Sequence, residues 1–439
     1  MPPRKLLDDC FLHDRDRLRH DEALSILRER MRPVTAPEPV SLASALGRIC
    51  AEAVAAPRPV PGADNSAVDG YAFAHSDYEA TGGFFPISTR IAAGHPADSP
   101  LPVGSAARIF TGAVMPPRAD TIAMQEDCEP HEQDGRGFVA IPPGLKPGAN
   151  RRRAGEDLRA GDVLVEAGTI LRPQEIGAIA STGAGAVSCF APLKVAILST
   201  GDEILEAGAA FREGAVYDSN RPLLSALLST LPVAVSDLGV LPDKAGIVRT
   251  ALTDAAAGHD VILTTGGASR GEEDHVIATL SDLGHRHMWQ LAIKPGRPMA
   301  MGQIGDCVVL GLPGNPVAAF VCFVLYVRQA LLALGGATWR EPRRVVLEAD
   351  FEIADKKPDR REFLRGLMID DPAGSPNGGS GGAPGGVRRV AKYPRDGSGL
   401  ITSLREADGL IEIPEDVTAV RRGDRVRFLP FGEAGLPPR

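Results

Sequence analysis

The sequence predicts a multidomain α/β plus β protein, with a central doubly wound, three-layer α/β domain and small β domains on either side. Three observations carry this. At 439 residues the chain is long enough for several domains. Between residues 194 and 334, apolar runs of strand length alternate with helical patterns, which implies parallel pairing through right-handed crossovers. On both sides of that stretch the chain is rich in Pro and Gly and carries only brief β-type runs. The expected boundaries are 1–56 together with 150–185 for an elongated N-terminal or linker domain, 57–149 for a small β-rich domain, 186–336 for the α/β domain and 337–439 for a C-terminal β domain.

Residues 20–31 place apolar side chains at helical spacing (23/24, 26/27, 31), and Pro33 ends the pattern. A short helix over 41–45 reaches Gly47. Brief strands are expected at 84–91, 107–111, 121–124 and 137–141, and a helix over 173–181 begins on Pro173, a residue favoured in a first turn. Then come a strand at 195–199, a helix over 221–230 capped by Asp218 or Ser219, a strand at 233–238 and a helix over 244–257. A strand at 261–265 leads to a helix over 274–283. After a strand at 308–312, Asn315 caps a helix with Pro316 at its first position, running to about 334. Strands are expected again at 344–351, 362–368, 400–402 and 425–429, with a Gly-rich loop at 371–386.

Composition narrows the function classes. A net charge of −8 argues against a general nucleic-acid binder, which would show a basic stripe. The apolar run 317–327 is broken by Arg328 and Gln329, too short to span a bilayer, so no membrane is expected. The N-terminus lacks the apolar run of a signal peptide. Six scattered cysteines without C-x-x-C spacing read as reduced thiols of a cytoplasmic protein.

Four motifs mark the candidate site: Ser199-Thr-Gly-Asp-Glu203, Asp218-Ser-Asn220, Thr264-Thr-Gly-Gly267 with Asp274 beyond it, and Leu312-Pro-Gly-Asn-Pro316. Three follow strand-like runs and open into helices. In an open α/β sheet such turns line one rim, outside the carboxyl ends of the strands, where ligands bind. Helix-start N–H groups suit phosphate or another oxyanion. The acids Asp202, Glu203, Asp218 and Asp274 on the same rim suggest a phosphorylated ligand handled with a divalent cation. Each also has a plainer reading: Asp202 and Glu203 as a solvated turn, Asp218 and Asp274 as helix caps. Asp64 and Asp69 read equally as turn residues.

Further motifs sit outside the rim: Pro61-Gly-Ala-Asp-Asn-Ser-Ala-Val-Asp-Gly-Tyr-Ala72, Thr111-Gly-Ala-Val-Met-Pro116, Arg152-Arg-Ala-Gly-Glu-Asp157, Lys294-Pro-Gly-Arg-Pro298, Arg361-Glu-Phe-Leu-Arg-Gly366, Ser398-Gly399 and Ala407-Asp-Gly-Leu410. In this order and spacing the whole set resembles molybdopterin molybdenumtransferase, the MoeA and gephyrin E-domain family, over roughly residues 18–430. The resemblance implies a four-domain homodimer with a central molybdopterin-binding domain and a C-terminal β-barrel-like domain. It implies that adenylylated molybdopterin and molybdate are the substrates, that AMP is released, and that Mg2+ assists. It assigns catalysis to Glu203, Asp274, Asp64 and Asp157, and metal binding to Asp274, Glu203 and Asp218. Substrate binding falls to Thr111, Gly112, Arg153, Thr200, Gly201, Ser219, Gly266, Gly267, Ser269, Lys294, Pro295, Arg297, Gly314, Asn315, Arg365 and Ser398. The residues themselves agree: a tetrahedral dianion needs cations and N–H donors, and Lys294, Arg297, Arg365 and the Gly-rich turns supply them.

The chain departs from the family at Arg270, where an aliphatic residue is common, at Ala318 in place of a serine, at Arg297 in place of a lysine, and in the loop 371–386. Two other functions compete with the transferase: a non-catalytic pterin carrier or scaffold, and a molybdopterin adenylyltransferase, which the central domain also resembles. A molybdopterin adenylyltransferase and recipient molybdoenzymes or chaperones are the further partners such an enzyme would meet. The turn-rich flanks are poor at burying a core alone, and the expected assembly is a homodimer in which residues 338–439 of one chain close the site of the other.

Overall fold

Four parallel strands form the centre of the chain in the computed structural model, which describes residues 17–266, 275–369 and 388–437. They lie in the order Val233–Leu241, Leu193–Thr200, Val261–Thr265, Cys307–Leu312. Alternate residues of the central strands supply two faces. Val195, Ile197, Leu263 and Leu310 point into one core, with the helices Asn220–Leu228 and Pro316–Leu334. Ala196, Leu198, Ile262 and Val309 point into the other, with Val248 and Leu252 of Ala245–Gly258 and Val276 and Leu280 of His275–Leu283. Strands apolar on both faces are what helices on both sides require. The helix His20–Arg30 joins the first core through Ala23, Leu24 and Leu27. A ring nitrogen of its His20 lies 2.7 Å from the Tyr326 hydroxyl.

Two antiparallel strands, Pro298–Ile304 and His285–Gln290, extend the sheet beyond Cys307–Leu312. No apolar periodicity announces them, and the sequence reading contains neither. Among the described residues, one helix is long and apolar enough to cross a membrane, Pro316–Leu334, and 94% of its most apolar stretch is buried inside the protein. Its middle, Phe323–Val327, widens into a π-helical turn.

The N-terminal module is built from two small antiparallel ladders. Pro37–Ser41 pairs with Ala186–Phe190, and Val54–Ala55 with Val163–Val165. From it the chain runs out to a six-stranded sheet, Thr121–Met124, Gly70–Phe73, Ala106–Ile109, Phe84–Ile91, Arg136–Ala140, Glu129–Gln133 in spatial order. Beyond the long helix, Arg361–Ile369, Arg389–Lys392, Val345–Ala349, Arg425–Pro430 and Gly409–Ile413 pair in a ring that closes on Arg361–Ile369, a five-stranded barrel. Ile293–Lys294 adds to it as a parallel edge. The strand expected at 400–402 is a turn instead, leading into the helix Thr402–Glu406. Gly397 and Gly399 break the extended chain, and the Ser403 hydroxyl donates to Leu400 O at 2.6 Å to hold the turn. The loop 371–386 lies outside the described residues.

Candidate functional site

The carboxyl ends of the central strands fall in one row: Ser199 pairs with Thr265, and Thr265 with Leu312. Two of these strands end in turns that require glycine. Gly201 has φ +147, and a Cβ there would stand 2.8 Å from Glu203 Oε2. Gly266 has φ +81 and would put a Cβ 2.7 Å from Thr200 O. Only glycine tolerates that combination of positive φ and close approach. The turns are tied laterally by Asn220, whose amide donates to Thr265 Oγ1 and to Gly314 O, both at 2.7 Å. Asn220 belongs to the quoted Asp218-Ser-Asn220 motif, but its role as the tie is visible only once the strands are adjacent. Ser219, between them, is the residue at which the helix Asn220–Leu228 starts.

Asp218 is spent inside the protein. One carboxylate oxygen accepts the Ser199 hydroxyl at 2.6 Å. The other accepts the N–H groups of Asn220 and Arg221 at 3.1 and 3.0 Å, and the Arg221 guanidinium stands 3.4 Å away. The residue is 6% exposed. Its capping role is therefore realised, and a metal could bind it only by displacing these partners.

Asp202 and Glu203 are exposed. Beside them lies an acid the sequence reading passed over, Asp243, whose N–H donates to Asp202 Oδ1 at 3.1 Å. Burial, together with the negative charges of Glu203 and Asp202, pushes the Asp243 carboxyl above its ordinary range, while His275 opposes the shift. The signal for it was there: Pro242-Asp243 follows the strand Val233–Leu241 as the other motifs follow theirs. Among the described residues no three His, Cys, Asp or Glu side chains converge as a metal-holding group. Gly267, Ser269, Arg270 and Asp274 lie outside the described residues.

A cavity of about 400 Å³ opens where the rim meets the barrel, lined by Lys294, Pro295, Arg297, Asn315, Arg365 and Ser398 among others. Local chemistry builds it. The Lys294–Pro295 bond is cis, and Gly296 follows with φ +108, its Cα packed so that a Cβ would lie 2.7 Å from Cys322 Sγ. The loop carrying Ser398 crosses the start of the long helix, where Ser398 O accepts the Val317 N–H at 2.9 Å. Ala318, in that first turn, lines the same cavity.

The cations differ in how they are balanced. Lys294 Nζ stands 3.5 Å from the carboxylate of Glu362, which is 5% exposed. Arg297 is exposed and donates to Gln290 Oε1 at 3.0 Å. Arg365, 5% exposed, has no carboxylate within ion-pair distance among the described residues. Its guanidinium donates to Ser403 Oγ at 3.1 Å and to the carbonyls of Arg395 and Gly397 at 3.3 Å. Burial lowers its pKa, against the raising effect of Asp396 and Tyr393, and Asp396 is itself paired with Lys392 at 3.2 Å. A buried guanidinium satisfied by neutral acceptors is a charge that an anion in the cavity would complement.

Arg365 and Ser398 of the 338–439 domain line this cavity of their own chain together with Lys294 and Asn315. The parallel pairing of Ile293–Lys294 with Arg361–Glu362 joins the barrel to the rim in cis.

The remaining predicted residues stand on the small β module and its neighbour. Asp64 accepts the Ala154 N–H at 2.8 Å and lies 3.4 Å from Arg151. Thr111, followed by Gly112 at φ +78, donates through N–H and hydroxyl to Asp69 at 2.8 and 2.7 Å, and these bonds hold the Asp69 carboxyl below its ordinary range. Arg153 N–H donates to Glu156, and Asp157 N–H to Val60 O. These hydrogen bonds join the small β module to the 151–157 segment, and the cavity at the barrel includes none of the group's members.

Comparison with known proteins covers nearly the whole chain. Residues 18–183 match the MoeA N-terminal region (domain I and II), 196–333 the probable molybdopterin binding domain, and 347–431 the MoeA C-terminal region (domain IV). A molybdopterin molybdenumtransferase of Haemophilus influenzae is 35% identical over 412 residues, 94% of this chain and 98% of that protein. Molybdopterin molybdenumtransferase 2 of Mycobacterium tuberculosis is 30% identical over 423 residues, 93% and 97% of the two chains. Among solved structures, the molybdopterin biosynthesis moeA protein of Pyrococcus horikoshii superposes with a TM-score of 0.76 at 28% identity, covering 94% of this chain and 99% of that one.

Proposed function

The chain belongs to the MoeA family and is a molybdopterin molybdenumtransferase of molybdenum cofactor biosynthesis, and from that premise we propose how its residues divide the reaction. The cavity at Arg365 receives molybdate. The observation that carries this is the buried Arg365 guanidinium, without a carboxylate partner among the described residues, beside Lys294 and the Ser398 loop. Asn315 and Ala318 place the start of the long helix against the same space. The rim turns at Thr200–Gly201 and Gly266 hold the phosphate of adenylylated molybdopterin, with Ser219 beside them; Gly267 and Ser269 are proposed to share this work. AMP leaves as molybdenum passes to the pterin dithiolene.

Mg2+ fits the donor chemistry of the rim: Asp202 and Glu203 are exposed hard oxygen donors, and Asp243 is a third carboxyl beside them. The lack of a converging set of three among the described residues suits a cation that keeps waters and takes substrate phosphate oxygens as ligands. When bound, it would neutralise charge on the phosphoanhydride. Glu203 folds back against Gly201 at the mouth of the first rim turn, where it can orient the departing phosphate or hold a proton. Asp274 is proposed to share this work, and Asp64 and Asp157 to complete the site from the small-domain side.

A homodimer remains the proposed assembly, and the cytoplasm the proposed compartment. The small-domain residues Asp64, Thr111, Gly112 and Arg153 form a group of their own, apart from the rim, and a second copy is the means by which two such groups can meet. Incubation with adenylylated molybdopterin, Mg2+ and molybdate tests the reading. AMP release that depends on molybdate supports it, and release without molybdate, or none at all, refutes it.

A further inference from the structure

Two cysteines face each other at the root of the N-terminal module. Cys50 and Cys189 are direct antiparallel bridge partners. The hydrogen bonds on either side run from the Ala51 N–H to Ser188 O and from the Phe190 N–H to Ile49 O, both 2.9 Å. They make this the non-hydrogen-bonded kind of pair, in which Cα atoms stand about 4.5 Å apart and both side chains leave the same face. A disulfide asks for Cα separations of about 4.4–6.8 Å, so the backbone register is one a bond can span; the Cys50 thiol, which donates to Glu52 O at 3.0 Å, turns from that acceptor to make it. Both residues are fully buried in one small core with Leu171, Ile179 and Val187. Burial first, and then the neighbouring Cys50, push the Cys189 thiol up. Among the described residues, none of the other free cysteines, Cys128, Cys307 and Cys322, has a cysteine as its strand partner.

We propose that Cys50 and Cys189 are a thiol pair that a low-molecular-weight disulfide of the glutathione-disulfide class converts into a cross-strand bond. One protein thiolate attacks the small disulfide and expels a small thiolate, leaving a mixed disulfide. The second protein thiolate attacks the protein sulfur of that intermediate and expels the other small thiolate. Two protein thiols are oxidised, one small disulfide is reduced to two thiols, and the two protons from the protein thiols end on the released pair.

The position gives the bond its consequence. Past Cys50 the chain leaves for the small β domain. It returns through Val163–Val165 to Ala186–Phe190, then enters the central sheet at Leu193. The bond therefore ties together the two roots of the whole excursion 51–188. Because both thiols are buried and protonated, exchange proceeds through local opening of these roots. The oxidised form then locks the module that had opened, and a reducing thiol releases it.

The experiment uses the full chain, incubated with glutathione disulfide at pH about 8.5, close to the ordinary thiol pKa, in one arm native and in another during refolding from urea. The expected result is loss of two of the six thiols, a protein lighter by two hydrogens, and one cross-linked peptide pair containing Cys50 and Cys189, all reversed by dithiothreitol. Cys189→Ala should abolish the cross-link and leave at most a mixed disulfide on Cys50. Six thiols retained in both arms, or a cross-link joining any other pair, overturns the proposal. The wild-type peptide map decides the matter even where the alanine variant folds poorly.

Discussion

Arg365→Ala removes the charge on which the proposed molybdate site depends. The guanidinium is buried and, among the described residues, bonds to neutral acceptors only, so a dianion in the cavity would receive a charge-assisted hydrogen bond that water cannot replace at equal strength. Such a bond contributes about 1.5–3 kcal/mol. At 1.4 kcal/mol per decade, the molybdate concentration giving half-maximal AMP release should rise by about 10- to 150-fold. The affinity for adenylylated molybdopterin, measured by calorimetry without molybdate, should change little, because the rim turns proposed to hold phosphate, Thr200–Gly201 and Gly266, are not among the hydrogen-bond partners of Arg365. The substitution also removes three donors from the 395–403 segment. Ser403→Ala is the control for the loop: it takes away the Nε partner at 3.1 Å and the bond to Leu400 O that holds the turn, and leaves the charge, so its molybdate dependence should stay nearer wild type than that of Arg365→Ala. Arg365→Lys keeps the charge but not the planar fork, and should fall between. If Arg365→Ala weakens pterin and molybdate equally, the residue holds the loop rather than the anion, and the reasoning fails.

Four other outcomes follow from the same structure. Glu203→Gln and Asp274→Asn should each abolish AMP release while circular dichroism and assembly stay unchanged, with extra Mg2+ restoring little; near wild-type release at saturating molybdate would remove both residues from the site. Gly296→Ala forces a side chain onto φ +108 and within 2.7 Å of Cys322 Sγ; urea unfolding should show a loss on the order of 1–3 kcal/mol, and an unchanged midpoint would deny the strain. His20 is held by burial, and by the charge of Arg361, at a pKa of about 3 against an ordinary 6.5. Its folded value is depressed, so the unfolded chain binds the extra proton. Stability should be full above pH about 6.5 and fall by about 1.4 kcal/mol for each unit below it, down to pH about 3; His20→Gln should flatten that slope, and an identical slope would assign the acid lability elsewhere. Light scattering should find a dimer, and a fully active monomer would refute the proposed assembly.

The central domain was legible in the sequence because its strands are short, apolar on both faces and punctuated by caps. Asn315 followed by Pro316 marked the long helix at its first residue, and Asp218 marked the helix it now caps through the N–H groups of Asn220 and Arg221. What stayed hidden is what only assembly decides. The antiparallel edge Pro298–Ile304 with His285–Gln290 offers no alternation to read, and its existence depends on Cys307–Leu312 presenting a free edge. The 400–402 run looked extended until the Ser403 hydroxyl bent it. Asp243 gains its place only when Val233–Leu241 pairs beside Leu193–Thr200 and brings Asp202 alongside. The same limit explains the closure of the cavity. The sequence offers Lys294, Arg365 and Ser398 as candidate anion ligands, but whether they meet within one chain depends on the pairing of Ile293–Lys294 with the barrel.

The most direct test of the account is a single-turnover reaction of the purified wild-type chain with adenylylated molybdopterin and Mg2+, with molybdate titrated in and both AMP and pterin-bound molybdenum measured. The account predicts one AMP released for each pterin metallated, with both signals saturating together as molybdate rises and both shifting together to higher molybdate in Arg365→Ala. AMP released without metallated pterin, or pterin metallated with no dependence on Arg365, would contradict it.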